Sequence, residues 1–119
     1  MNDKVLIVLS CGTDNPNRST RALFLAMAAH KAGKNVTVFL LDEGVHIAME
    51  GIAENIMAAT GDRADDHLSY LQANNVPILV CTPCAKYRRM TEENMIEGAR
   101  MATAAELIDL TCNGSVISL

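Results

Sequence analysis

The chain has 119 residues and a formal net charge of −4; half of its residues are hydrophobic, yet it holds two Tyr, two Phe and no Trp. That length fits one domain, residues 1–119, with a core of Val, Ile, Leu, Met and Ala rather than aromatic rings. The acidic balance and the lack of a polybasic stretch exclude nucleic acid and an anionic membrane surface as main partners.

The first apolar run, "KVLIVLS" (Lys4–Ser10), reads as a buried strand entering the loop "CGTDNPN". It is too short for a signal-peptide core or a membrane span, so a cytoplasmic location is expected. Arg18–Gly33 follows as a helix, with Asn17 or Ser19 as its cap and Gly33 as its stop. Asn35–Leu41 is the second strand, and Asp42, Glu43 and Gly44 form a turn. Val45–Ala59 predicts a weaker helix interrupted by Gly51, with Met49, Ile52, Ile56 and Met57 as its apolar stripe. Arg63–Asn75 is an amphipathic helix with Leu68 and Leu71 on one face.

"VPILVC" (Val76–Cys81) is the third strand, with Pro77 near its start, where a missing donor does least harm. Beyond the cysteine segment come a short helix around Thr91–Gly98, a brief strand Ala99–Ala102, a helix Thr103–Cys112 and a last strand Ser115–Leu119. Alternation of apolar strands with helices predicts an α/β fold: a three-layer α/β/α domain with a parallel sheet of about five strands, flavodoxin-like in outline. Ligands in such sheets bind at the carboxyl edge. Cys11 and Cys81 fall at that edge with Cys84 beside them, and Cys112 falls at the other.

In a reducing compartment, four cysteines read as free thiols, catalytic groups or metal ligands. "CTPC" (Cys81–Cys84) admits three chemistries. A dithiol redox pair has the right spacing, although a thioredoxin-type pair follows an early strand, has a Trp before it and faces a later proline. This pair sits late, and no proline follows Pro83. A metal site would need two further ligands, with Cys11 and His46 as the candidates, and the spacing does not display them. In the third reading Cys81 is a single nucleophilic thiol, favoured as thiolate and persulfide by N–H groups and by Lys86, Arg88 and Arg89. Against all three stands a small, buried, inert cysteine.

Around it, Cys11, Gly12 and Thr13 open a loop suited to an anion but matching no phosphate-binding pattern. Glu43 and Gly44 lie at the same edge, and His46 follows as a candidate base for Cys81. The scarcity of aromatics argues against a flavin.

The segments "KVLIVLSCGTDNPNRSTRALFLAMAAHKAG", "VTVFLLDEGVHIA", "VPILVCTPCAKYRRMTEENMIEGA" and "AAELIDLTCNGSVISL" resemble the DsrE/DsrF-like family of small sulfur-relay proteins over nearly the whole chain. In its sulfur-carrying members the active cysteine ends the third strand, seven residues before an Arg that precedes a Gly. Cys81 and Arg88 keep that spacing, and Arg89 stands where the Gly would be. Cys84 is not part of the carrier motif. The resemblance implies a five-stranded parallel sheet and assembly as a homo-oligomer, trimer or hexamer. It also implies persulfide chemistry at Cys81 with no cofactor, and donor and acceptor proteins as partners. Cys84 then reads as a neighbouring thiol that discharges the persulfide. The other reading is a non-enzymatic subunit that binds a ligand or a partner in the cleft between the loops after strands one to three.

Overall fold

A computed structural model describes residues 3–119. Five strands are present: β1 (Lys4–Leu9), β2 (Asn35–Leu40), β3 (Ile78–Cys81), β4 (Ala99–Ala102) and β5 (Ser115–Ser118). The helices are α1 (Pro16–Lys31), α2 (Ala64–Ala73), α3 (Thr82–Tyr87) and α4 (Ala104–Cys112). The sheet runs β4-β3-β2-β1-β5 and every pairing is parallel, so the fold is α/β as the alternation implied.

Strand order explains how the layers divide. From β1 to β4 each connection steps the same way across the sheet, and right-handed crossovers put all of those connections on one face. The last connection, through α4, runs back past the whole sheet to β5 and therefore crosses the opposite face. The core follows this division. Ile7, Leu9, Val38, Leu40, Ile78 and Val80 meet α1, α2 and the 45–56 segment in one large cluster. Leu6, Val8, Phe39 and Leu79 point the other way, toward Leu107 and Leu110 of α4. One nine-residue helix covers that second face only in part, leaving Val116, beside Leu6, 42% exposed; Ile108 is exposed on α4 itself, and Ile117 is exposed on the first face beside Ile7.

Local chemistry shifts several boundaries. α1 starts at Pro16, earlier than Arg18, because proline suits the first turn and the Asn15 side chain accepts the Arg18 N–H at 3.1 Å. The expected helix at 45–59 is instead two short 3₁₀ segments, Asp42–Ala48 and Ala53–Asn55. Gly51 at φ 86° breaks the run. Val45, Ile47, Ala48, Ala53 and Ile56 are buried there, a spacing no single helical stripe produces. Of the predicted stripe only Ile56 is fully buried, and Met57 is 56% exposed. The helix expected at 91–98 shrinks to the turn Glu92–Asn94, closed by reciprocal bonds between Thr91 and Asn94. Among the described residues no helix is long and apolar enough to cross a membrane.

Candidate functional site

The carboxyl ends of β1, β2 and β3 carry the site. β3 is a buried apolar strand whose last residue, Cys81, is half-buried and caps α3. Pro83 sits in the first turn of α3, where its lost donor costs nothing. Thr82 Oγ1 donates to the Ala102 carbonyl at 2.7 Å and ties that turn to β4. Cys84 follows in the same turn, and its thiol and backbone N–H are among the groups that act on the acidity of the Cys81 thiol.

The turn after β2 closes on this pair. Asp42 adopts φ 47°, uncommon for a residue with a side chain. Its N–H donates to Cys84 Sγ at 3.3 Å, and the Cys84 thiol faces Asp42 Oδ1 at 3.9 Å. Gly44 and Gly12 make the close approach possible: a Cβ on Gly44 would collide with the Leu9 carbonyl oxygen, and one on Gly12 with the Glu43 carbonyl oxygen. Both positions are candidates from the sequence, and both permit a close backbone approach.

The cations go elsewhere than expected. Arg88 donates from Nη2 to Glu43 Oε1 at 2.6 Å and from Nη1 to the Cys84 carbonyl at 3.0 Å, so its charge is spent on an acid and a peptide oxygen. Glu43 in turn holds His46, Oε2 to Nδ1 at 3.3 Å, which ties His46 to the acid. Lys86 and Arg89 are exposed, and Arg89 occupies φ 59°. That left-handed turn is one that Gly adopts without strain; here an Arg holds it. Burial raises the Cys81 thiol above the ordinary cysteine range. The hydrogen bond to the Cys84 side chain and the nearby charges of Cys84 and Asp42 add to this, and only the Cys84 N–H pulls the other way. The expectation of a thiol acidified by Lys86, Arg88 and Arg89 thus meets the opposite direction at Cys81, with burial as its largest cause.

Other predicted residues separate from the pair. Cys11 is buried, with its thiol 4.0 Å from the Leu119 carbonyl, and it packs into the main core. Thr13 is exposed, and the Gly12 N–H bonds Asp14 Oδ1 at 2.7 Å. Cys112 ends α4, exposed, at the amino edge. Among the described residues no three His, Cys, Asp or Glu side chains form a group that would hold a metal ion. A recess of about 460 Å³ lies between α1 and the 58–62 turn, floored by Phe24 and Leu25, and none of its lining residues belongs to the thiol cluster. His30 and His67, assigned nothing from sequence, meet Tyr70 OH and Asp62 Oδ2, each at 2.8 Å. What sequence reasoning missed is the main chain of Asp42 as a donor; the only signal was a turn-forming "DEG" at the right edge.

Comparison with known proteins agrees with this architecture. The chain is 30% identical to an uncharacterised protein of Methanocaldococcus jannaschii, covering 88% of this chain and 89% of that one. It is 28% identical to an uncharacterised protein of Methanopyrus kandleri, covering 90% and 85%. The crystal structure of the E. coli YchN protein superposes with a TM-score of 0.81 at 22% identity and full coverage of both chains. A protein of unknown function from Methanobacterium thermoautotrophicum superposes with a TM-score of 0.63 at 12% identity, covering 98% of each. The sequence profile of the DsrE/DsrF-like family matches residues 3–119, and the chain belongs to that family.

Proposed function

We propose that this protein relays sulfane sulfur between protein thiols through Cys81 and Cys84. Membership of the DsrE/DsrF-like family supports a sulfur-relay type of role. One observation carries the assignment to this pair: Cys81 and Cys84 sit together where β3 runs into α3 at the carboxyl edge, and the Asp42 main-chain N–H is donated to Cys84 Sγ at 3.3 Å. Such donors stabilise a thiolate or persulfide anion without a metal or an organic cofactor. Cys81 carries the persulfide at the strand end, and Cys84 is the neighbouring thiol that exchanges with it.

The partners are a sulfur donor protein and a sulfur acceptor protein, met in the cytoplasm. The apolar side chains exposed on β5 and α4, Ile108, Val116 and Ile117, favour a homo-oligomer, trimer or hexamer. Light scattering coupled to size exclusion tests that assembly: a mass of three or six chains is expected, and Ile108→Glu lowers it if α4 lies in the interface.

The placing of both cysteines in one turn also favours a second reading, a dithiol–disulfide redox protein. Mass spectrometry after incubation with a persulfide donor separates the two. A relay gains 32 Da (about one sulfur atom) on Cys81 or Cys84. A redox protein gains no sulfur and loses two hydrogens as the pair closes to a disulfide.

A further inference from the structure

We propose that Cys84, rather than the strand-end Cys81, is the thiol through which sulfur enters the pair, with Cys81 as the second station. The inference rests on the relay reading above and orders its two thiols.

The donors around the sulfurs differ in kind. Cys84 Sγ receives the Asp42 N–H at 3.3 Å from a separate chain segment, held there by a left-handed backbone turn. Backbone strain of this sort persists where the surroundings impose it. The Gly44 and Gly12 contacts impose it here, by seating the turn against the ends of β1 and its following loop. Cys81 packs against both apolar clusters of the sheet, whereas Cys84 touches only one. Desolvation therefore weighs more on Cys81.

The charged groups facing Cys84 fit an entry thiol. Asp42 Oδ1, 3.9 Å away, opposes the anion but is also the nearest acceptor for the departing proton. Arg88 binds the Cys84 carbonyl and offsets Glu43 behind it.

The exchange balances without an outside oxidant. The Cys84 thiolate attacks the outer sulfur of a donor persulfide, R–S–SH; the bond from Cys84 to that sulfur forms, the donor S–S bond breaks, and the donor leaves as its thiolate. The Cys81 sulfur then attacks the outer sulfur of the Cys84 persulfide. Cys81–S–SH forms, the Cys84 S–S bond breaks, and the Cys84 sulfur leaves as a thiolate that takes up the proton released by the Cys81 thiol. One sulfane sulfur has moved and Cys84 is a thiol again.

Two measurements on the reduced full chain test the order. In the first, glutathione persulfide is added, the reaction is quenched at early times and the peptides are mapped by mass. Sulfur is expected on Cys84 before Cys81, and Cys81→Ser keeps loading at Cys84. Cys84→Ser loads Cys81 about tenfold more slowly or worse. Loading of Cys81 at the unaltered rate in Cys84→Ser overturns the order. The second uses iodoacetamide on the unaltered chain and needs no sulfur chemistry. Cys84 labelled about tenfold faster than Cys81 sustains the order; equal labelling, or Cys81 first, removes it. If neither thiol takes sulfur, the relay reading fails and the labelling result alone decides which thiol is the nucleophile.

Discussion

The guanidinium of Arg88 is bound to Glu43, 2.6 Å from Nη2 to Oε1, on segments 45 residues apart in sequence, and this pairing directs its charge to an acid rather than to the Cys81 sulfur. A free cation beside Cys81 would favour its thiolate; one neutralised by an acid does so weakly. Replacing Glu43 by Gln releases Arg88, and Cys81 alkylation at fixed pH is expected to rise about two- to fivefold. The stability cost is small, about 0.5 kcal/mol, because Glu43 is almost half exposed and solvent screens the pair. Unchanged labelling of Cys81 in Glu43→Gln would show that Arg88 stays away for another reason.

The raised Cys81 thiol links stability to alkaline pH. Its folded-state pKa lies above the unfolded value, so the unfolded chain loses this proton first. The contribution is complete below the ordinary thiol range and is lost as pH climbs through that range toward the folded value. Urea unfolding at about pH 7 and about pH 10 should show this fall, with a shallower one in Cys81→Ser, which has no thiol to titrate.

Arg89 at φ 59° carries a side chain where Gly meets no steric penalty. Arg89→Gly is expected to raise stability by about 0.5–1 kcal/mol, the relief of the left-handed conformation outweighing the extra freedom of the unfolded chain. Arg89→Val should lower it, since a β-branched residue tolerates that conformation poorly. Thermal melts of the two variants report both signs.

Thr20 lies on α1, 1% exposed, and its hydroxyl has no hydrogen-bond partner among the described residues. A buried unpaired hydroxyl costs about 1–3 kcal/mol, and Val has the same shape without it. Thr20→Val is therefore expected to raise the melting temperature and to leave thiol reactivity unaltered. A drop in melting temperature would mean that the hydroxyl is satisfied.

The strands were legible because each is a short apolar run bounded by loop residues, and the edge that gathers Cys81, Glu43 and Gly12 follows from their alternation with helices. The 45–59 stretch was misread as a helix because its buried residues answer to a surface formed by β1–β3 and α2, not to a local period. Arg88 was placed beside the thiols by proximity in sequence; the acid that takes it lies on the turn after another strand. The donor to Cys84 was invisible for a simpler reason: it is a main-chain N–H, and every residue but proline has one.

By itself the sequence determined an α/β domain with two thiols three residues apart at the carboxyl edge of its sheet, since apolar periodicity and turn residues act over a few positions. Only the tertiary structure decided which sulfur receives the Asp42 N–H, where Arg88 spends its charge and which face of the sheet stays half bare. Those outcomes depend on how closely distant segments approach, and at that range one glycine, one left-handed turn and one competing carboxylate set the result.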